Sequence, residues 1–487
     1  MKLDRRHFLH ASTSAVALGG FSNLAAEDIK PKNPYLLGNF GPVREEVTAE
    51  KLKVIGSLPK DLNGLYVRNG PNPQFDPKGA YHWFEGDGML HGVHLCEGQA
   101  SYRNRYIQTE GWKLEHKEGK QVYSSMLERP DMKKVLVGQN PFKNAANTAL
   151  VRHAGKCLAL YEAGLPHEIH LPDLATVGEY DFAAKLEGPM TAHPKVDPET
   201  GELLGFCYTT KNAAYYYHID AKGVLTDTRK IELKHPVMMH DFAITKKYAI
   251  FFDFPQIFSM ERAFVGKSPW HFDKDQPSRF GFLPRNSKPD TPVKWFEAKT
   301  GFMFHSLNAY EEGDSVVLIG CRYPAFPGAL ELSDNAKSEA LNPVLYCWKF
   351  NFQNGKVSEE ILDDYTSEMP RINESFIGKS ARFGYTASGG GEFATEIRKH
   401  DFTKKSAESH KLGDGQFCGE AVFVARASAK SEDEGYLMTY VYDKASNKSE
   451  LLIVDARNMK EPVARVMLPV RVPYGFHGIW VPEKELA

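Results

Sequence analysis

Short runs of apolar, β-branched and aromatic residues, separated by turn-forming residues, recur from about residue 50 to the end of the chain. Examples are GLYVRNGPNP, KCLALYEA, LLGFCYTT, KYAIFFDF, SVVLIGCRY, VLYCWKF, GYLMTYVYD and SELLIVDA. Runs of this kind, bounded by Gly, Asp, Asn or Pro, are typical of β-strands. Turn sequences at 197–201, 354–355 and 433–435 predict hairpins between them. The chain is therefore predicted to be all-β.

The length of this strand pattern limits the architectures that can contain it. Helical periodicity is scarce, and the best helix candidate is the short segment from Val47 to Leu52. Many evenly spaced short strands form a sandwich, a barrel or a propeller. Roughly 450 residues of this pattern without a linker favour a β-propeller, whose blades contain about 40 to 50 residues each. Residues 255–290 are expected to be the largest irregular insertion.

The N-terminal segment has the layout of a bacterial export signal. Arg5 and Arg6 precede Phe8 and a weakly apolar stretch rich in Ala, Ser and Gly, which ends at small residues near Ala26. We interpret residues 1–28 as a removable twin-arginine signal and expect a periplasmic protein of one domain, residues 29–487. The apolar stretch is too short to span a bilayer, and no later segment has about 18 consecutive apolar residues.

Composition excludes some classes of protein. The chain has 60 basic and 62 acidic residues, a formal net charge of -2, whereas nucleic-acid binders show a basic excess. None of the six cysteines lies in a C-x-x-C pair, so a zinc–thiolate site has no support. Buried free thiols are expected, although an even number in an exported protein leaves a disulfide open.

Four of the 18 histidines share a distinctive context. Each is flanked by apolar residues next to a predicted strand, which suggests that its side chain points inward. Spacing alone does not distinguish a metal site from hydrogen-bonded core histidines. The four are His193, His240, His305 and His477.

An ordered set of motifs along the chain resembles those of the carotenoid cleavage oxygenases. The set begins with NPYLLGNFGPV, LNGLYVRNGPNPQFDP, YHWFEGDGMLHGV and YRNRYIQTEGW. It continues with ANTALV, LALYEAGLPHEI, LATVGEYDF, EMPRIN and CGEAVFV, and it closes with LLIVDARNMKEPVARVMLPVRVPYGFHGIW. The four histidine segments belong to the same set. The resemblance covers nearly the whole chain after the signal.

This resemblance implies a seven-bladed β-propeller with a dome of loops and short helices over its top face. It also implies one non-haem Fe(II) per chain, bound by the four histidines named above. Glu162, Glu368 and Glu420 would accept hydrogen bonds from three of the imidazoles, leaving His193 without a carboxylate partner. Such partners fix the orientation of a metal-bound imidazole and balance the charge of the ion.

The spacing of the implied residues is consistent with a propeller. Successive positions are separated by about 52 residues on average, which resembles one position per blade. A ring of inner strands would place them around a central metal ion. The positions are 162, 193, 240, 305, 368, 420 and 477.

The resemblance also suggests residues around the substrate. Thr148, in ANT, matches a threonine that crowds an open coordination position, and Tyr161 matches an aromatic residue close to the iron. Residues 253–284 interleave Phe, Trp and Met with Arg and Lys. This segment is either a loop with its own apolar cluster, or an apolar tunnel mouth or membrane-contact patch with a basic rim.

The implied reaction is oxidative cleavage of a carbon–carbon double bond by O2, with two carbonyl products and a carotenoid or apocarotenoid as the apolar polyene substrate. A lignostilbene-type dioxygenase, which cleaves phenolic stilbenes, is the alternative within the family. Tyr106 with Lys134, or equally Lys133, could hold the phenol oxygen of a stilbene. A retinoid isomerase is a further possibility. A propeller that only binds a ligand is disfavoured because all four His and three Glu are present.

Overall fold

The structure is a computed structural model that describes residues 33–77, 79–126, 128, 142–265, 268–327, 342–390 and 393–486. The proposed export signal, Lys133 and Lys134 lie outside these residues. Within them, strands dominate and every strand pair is antiparallel. The strands form successive sheets along the chain, and each sheet consists mainly of sequence neighbours joined by short turns.

Seven sheets, called blades 1–7 here, make up the body of the protein. Blade 1 consists of β1 (Thr48–Ala49), β3 (Gly64–Pro71), β4 (Gly88–Cys96), β5 (Gln99–Tyr106) and β32 (Gly478–Pro482). Blade 2 consists of β6 (Ala149–His153), β7 (Lys156–Leu160), β8 (His167–His170) and β9 (Ala175–Glu179). Blade 3 consists of β10 (Lys195–Val196), β11 (Leu203–Tyr208), β12 (Ala213–Ile219) and β13 (Leu225–Glu232). Blade 4 consists of β14 (Phe242–Ile244), β15 (Tyr248–Asp253), β18 (Ser278–Pro284) and β19 (Lys294–Ala298).

Blades 5 and 6 share one long strand. Blade 5 consists of β20 (Phe302–Glu312), β21 (Ser315–Tyr323), β22 (Val344–Asn351) and the first part of β23 (Val357–Arg371). Blade 6 consists of the last part of β23 with β24 (Phe383–Ser388), β25 (Glu396–Asp401) and β26 (Ser406–Lys411). Blade 7 consists of β2 (Lys53–Gly56), β27 (Gln416–Cys418), β28 (Val422–Ala425), β29 (Gly435–Asp443), β30 (Lys448–Asp455) and β31 (Asn458–Met467).

Two strand pairings join the ends of the chain and close the ring. The C-terminal strand β32 pairs with β3 in blade 1, where Trp480 lies opposite Tyr66. The N-terminal strand β2 pairs with β31 in blade 7, where Val54 lies opposite Val466. A closed ring of seven antiparallel blades is the seven-bladed β-propeller that the sequence predicted.

The apolar core is divided among the spaces between neighbouring blades. One buried cluster lies at each of the seven blade interfaces. The interface of blades 4 and 5, for example, contains Phe280, Phe282 and Trp348, all at most 2% exposed. Burying a side chain of this size stabilises the fold by about 1.5 to 3 kcal/mol. This apolar packing, repeated around the ring, holds the blades together.

The helices differ from those expected. Helix α1 (Glu110–Glu118) begins after Thr109, whose hydroxyl accepts a bond from the Trp112 N–H, and it ends at Gly119 with a φ of 64°. Helix α2 (Met260–Phe264) is a single turn, and short 3-10 turns lie elsewhere on the loops. The helix predicted from Val47 to Leu52 is wrong. The two residues of β1 pair there with Arg103 and Tyr102 of β5, so the segment is an edge strand.

The expectation of an irregular insertion at 255–290 was also too simple. This segment contains a two-stranded ribbon of β16 (Gln256–Phe258) and β17 (Trp270–Phe272), with α2 between them. Its last part is strand β18 of blade 4. Within the described residues, no helix is long and apolar enough to cross a membrane. All six cysteines are free thiols, as the sequence indicated.

Candidate metal centre

The loops and strands at the centre of the ring bring the four selected histidines together. His193, His240 and His477 lie in loop residues shortly before β10, β14 and β32, whereas His305 lies within β20. Each therefore comes from a different blade. A backbone contact with blade 2 holds one of them in place, since the His477 N–H donates to the Thr148 carbonyl oxygen at 3.1 Å.

The four imidazole rings converge closely. The ring centroid of His193 lies 4.6 Å from the centroids of His240 and His477 and 5.1 Å from that of His305. One nitrogen each of His193, His305 and His477 lies within 4.8 Å of the others. The Nε2 atoms of His193 and His240 are 3.0 Å apart. These are the four histidines that were singled out from the sequence, and the structure places them in one cluster.

Three of the imidazoles contact a glutamate through Nδ1. His240 Nδ1 lies 2.6 Å from Glu162 Oε2, and His305 Nδ1 lies 2.7 Å from Glu368 Oε2. The third pair, His477 with Glu420, is separated by 2.8 Å. Among the described residues, none supplies a carboxylate to His193, whose Nε2 faces His240. The glutamates come from blades 2, 6 and 7, so the seven residues represent all seven blades.

The donor set fits a metal ion. A carboxylate on Nδ1 selects the tautomer with the proton there, which leaves the Nε2 lone pair free for a cation. His305 Nε2 is buried and has no hydrogen-bond partner within the described part of the chain. Two nitrogens about 2.1 Å from one ion, at a right angle, would lie about 3.0 Å apart. The observed distance between His193 Nε2 and His240 Nε2 matches this geometry.

Burial and neighbouring charges together shift the pKa values of three of these imidazoles. Desolvation, reinforced by the neighbouring imidazoles, holds the pKa of His193 well below its usual value. Burial also lowers the pKa of His477, although Glu420 opposes the shift. For His305, burial acts in the same direction, but the contact with Glu368 outweighs it and the pKa is raised. Neutral His193 and His477 are suited to coordination, because a metal binds the unprotonated imidazole.

Each glutamate has further partners that sequence reasoning missed. The Tyr208 hydroxyl donates to Glu162, and Arg371 Nη1 lies 3.3 Å from Glu420 Oε1. The backbone N–H of Met369 donates to Glu368. Arg371 lies in the EMPRIN motif, three residues after Glu368, so its position was a usable signal. Tyr208 offered none, because it is one of several tyrosines in strand-like sequence.

The other selected residues lie in different surroundings. Thr148 is buried, and its hydroxyl donates to Asn147 Oδ1 at 3.0 Å. Tyr161 is half-buried beside Glu162, and burial raises the pKa of its phenol. The Tyr106 hydroxyl accepts a bond from Asn72 Nδ2 at 2.7 Å and is 3.3 Å from the Val43 carbonyl oxygen. The phenol of Tyr106 is therefore already engaged by protein groups.

Aromatic side chains adjoin the imidazoles. The ring of Phe304 lies 5.2 Å from that of His240, edge to face. Phe476 precedes His477 and packs at 4.6 Å against Trp83 and at 5.6 Å against Phe84. These rings give the surroundings of the histidine cluster an apolar character.

Comparisons with known proteins agree with this description. A family model described as retinal pigment epithelial membrane protein matches residues 40–482. The carotenoid 9,10(9',10')-cleavage dioxygenase 1 of Arabidopsis thaliana is 40% identical, over 93% of this chain and 90% of the relative. The carotenoid cleavage oxygenase of Mycobacterium tuberculosis is 33% identical, over 94% of this chain and 99% of the relative.

Solved structures show the same similarity. Pseudomonas brassicacearum lignostilbene dioxygenase is 28% identical, with a TM-score of 0.85, over 93% of this chain and 99% of that chain. The cobalt-substituted ACO of Synechocystis is 25% identical, with a TM-score of 0.81, over 91% of this chain and 97% of that chain. The chain therefore belongs to the family of the retinal pigment epithelial membrane protein and the carotenoid cleavage oxygenases.

Proposed function

We propose that this protein binds one Fe(II) through His193, His240, His305 and His477 and cleaves a carbon–carbon double bond of a carotenoid or apocarotenoid. The relatives named above make it an enzyme of the dioxygenase class. The observation that carries the proposal is the cluster of four imidazoles, three of them oriented by buried or half-buried glutamates. In the reaction, each carbon of the double bond receives one atom of O2 and becomes a carbonyl carbon.

Bound Fe(II) would supply the site at which O2 is activated. The residues of the chain have three tasks around it. The glutamates hold the Nδ1 protons and so aim the Nε2 lone pairs inward. Four imidazoles and no carboxylate would hold the ion, in contrast to the usual oxygenase set of two histidines and one carboxylate. We also propose that Thr148, whose carbonyl oxygen accepts a bond from the His477 N–H, limits access to the ion on one side.

The apolar surroundings support a polyene substrate. Phe304 packs against His240, and Phe476, which directly precedes His477, packs against Trp83. A polyene has no polar group at the cleaved bond, so burial of apolar area would dominate its binding. The 253–284 segment carries further exposed apolar side chains, since Met260 is 52% exposed and Val265 is 71% exposed. Contact of this segment with a membrane surface is part of the proposal, because carotenoids reside in lipid.

A phenolic stilbene is the second candidate substrate. It is favoured by the similarity to the lignostilbene dioxygenase, with a TM-score of 0.85. The carotenoid 9,10(9',10')-cleavage dioxygenases of plants, at about 40% identity, favour the carotenoid. The engaged hydroxyl of Tyr106 also argues against a phenol partner at that position.

The test is a substrate panel with purified, Fe(II)-loaded protein. Carotenoids, apocarotenals and hydroxystilbenes are incubated in detergent micelles, and products are separated by chromatography with mass detection. We expect two carbonyl products from a carotenoid or apocarotenal and no turnover by His240→Ala, which should be folded but metal-free. Wild-type protein that contains iron but cleaves only stilbenes would exclude the carotenoid. Full activity of His240→Ala would exclude the metal site.

A further inference from the structure

A buried carboxylate next to the histidine cluster has no role in the proposed chemistry. Asp241 is 1% exposed, and each of its two carboxylate oxygens accepts two hydrogen bonds. Oδ1 accepts bonds from Lys195 Nζ at 2.7 Å and from the Phe242 N–H at 2.8 Å. Oδ2 accepts bonds from the Ser306 N–H at 2.8 Å and the Ser306 hydroxyl at 2.7 Å. The side chain thus binds two residues from other parts of the chain.

The positions of these partners along the chain are informative. Lys195 is two residues after His193, Asp241 directly follows His240, and Ser306 directly follows His305. The three histidines belong to blades 3, 4 and 5. The Asp241 carboxylate therefore connects three consecutive blades next to the histidine that each blade contributes to the cluster.

The contacts of Asp241 add directional hydrogen bonds between blades at the level of the imidazoles. The blades are held together mainly by apolar clusters, and apolar packing has no strong directional preference. Charge-assisted hydrogen bonds are short and directional, and a catalytic or binding constellation needs positions accurate to about 0.5 Å. Because Lys195 balances the charge of Asp241, the pair is internally neutral and adds no net charge to the centre.

We propose that Asp241 is a positioning residue, which fixes the His193, His240 and His305 segments relative to one another so that their imidazoles can bind one metal ion. The inference rests on the proposed metal site and goes beyond it, because Asp241 contacts no imidazole in its own hydrogen bonds. The fourth segment is fixed differently, since Gly478 donates to Glu420 Oε2 at 2.9 Å.

Metal affinity of the apo protein tests this role directly. Co(II) is titrated into apo protein and followed by its visible absorption, and the melting temperature of the apo protein is recorded in parallel. Asp241→Asn should bind Co(II) about 10- to 100-fold more weakly, as is typical of residues that orient metal ligands. Glu450→Gln is the matched control, because Glu450 is buried and pairs with Arg465 Nε at 2.7 Å in the outer strands of blade 7.

Glu450→Gln should retain wild-type Co(II) affinity even if its melting temperature falls as far as that of Asp241→Asn. Ser306→Ala keeps the backbone bond to Asp241 but removes the hydroxyl, so we expect a smaller loss of affinity. Should Asp241→Asn fail to fold, Ser306→Ala decides the question. Unchanged Co(II) affinity in the folded Asp241 or Ser306 variant would overturn the proposal. Failure of the wild-type protein to bind metal would instead overturn the proposed function.

Discussion

Glu420 Oε1 lies 2.8 Å from His477 Nδ1, and the other oxygen of the same carboxylate accepts a bond from the Gly478 N–H. The contact joins blade 7 to strand β32 of blade 1, where the ring closes. Burial would raise the pKa of Glu420, but Arg371 and His477 outweigh it and lower the pKa to about 2. The carboxylate is therefore ionised and compensated by a cation, whereas no Lys or Arg within the described residues pairs with Glu368.

We predict different consequences when these two glutamates lose their charge. Glu368→Gln and Glu420→Gln should each weaken metal binding by about 10- to 100-fold, because the amide accepts the imidazole N–H less strongly. Only Glu420→Gln also removes one of the ionic partners of the partly buried Arg371, so the melting temperature of this variant should fall further. Metal titration and thermal unfolding of the two apo variants measure both effects.

A double variant provides the control. Replacing Arg371 as well, in Glu420→Gln with Arg371→Met, removes the cation that has lost Glu420 and should restore part of the lost stability without restoring metal affinity. If Glu368→Gln and Glu420→Gln lower the melting temperature equally, the ion pair with Arg371 does not contribute to the fold as argued.

Much of the strand pattern could be predicted because it depends on local composition. The run SVVLIGCRY coincides with β21 and GYLMTYVYD with β29. Helix α1 was missed although its signals, Thr109 before it and Gly119 after it, were readable. The helix expected from Val47 to Leu52 failed because pairing with β5 decides that segment, and long-range pairing leaves no local mark.

The residues of the site could be predicted for a different reason. Resemblance supplied the histidines and glutamates, and the residues around them follow from geometry. Asp241 and Ser306 were overlooked although each directly follows a selected histidine, because nothing in the sequence shows that positions 65 residues apart share a hydrogen bond. The role of the four histidines as iron ligands stays a prediction until metal content is measured.

Stability should depend on pH through buried histidines such as His167. It is 1% exposed, and burial lowers its pKa to about 4 from 6.5. The unfolded chain therefore binds more protons between these two values, and stability is complete above pH 6.5 and decreases as the pH falls toward 4. Lowering the pH from 7 to 5 should therefore decrease the free energy of unfolding by about 2 kcal/mol through His167 alone.

The measurement is urea denaturation at both pH values for wild-type protein and His167→Gln. His167→Gln cannot gain a proton at this position. Its loss of unfolding free energy on acidification should therefore be smaller than that of the wild-type protein by about 2 kcal/mol. His170→Gln serves as the control, because its side chain is 59% exposed on the same strand β8. An equal loss in wild-type protein and His167→Gln would show that His167 does not titrate as described.

Export remains a prediction from the N-terminal sequence. Expressed in a bacterium with a twin-arginine translocase, the chain should appear in the periplasm, shortened by about 28 residues. Exchanging both Arg5 and Arg6 for lysine preserves the charge but removes the paired guanidinium groups, and should leave the longer chain in the cytoplasm. Cell fractionation with mass determination of the purified protein checks this. Unshortened wild-type protein in the cytoplasm would contradict it.

The choice between polyene and stilbene can be tested at Tyr106. If a stilbene phenol required this hydroxyl, Tyr106→Phe would abolish cleavage while metal remained bound. If the substrate is a carotenoid, the hydroxyl serves only Asn72 and Val43. Its removal should then cost about 1 kcal/mol of stability and leave kcat/KM for an apocarotenal nearly unchanged. Lys133→Ala and Lys134→Ala should be equally neutral, because a polyene offers no phenol oxygen to an ammonium group.

Tyr102→Phe is the matched control for this experiment. Tyr102 lies on the same strand β5, is 1% exposed, and its hydroxyl lies 2.8 Å from His91 Nδ1. Both variants lose one buried hydroxyl group, so similar decreases in melting temperature are expected from both. A loss of apocarotenal cleavage in Tyr106→Phe but not in Tyr102→Phe, with iron content intact, would assign Tyr106 to substrate binding. Loss of hydroxystilbene cleavage in Lys133→Ala or Lys134→Ala, with apocarotenal cleavage unchanged, would favour a phenolic substrate, because the lysine would then serve the phenol oxygen.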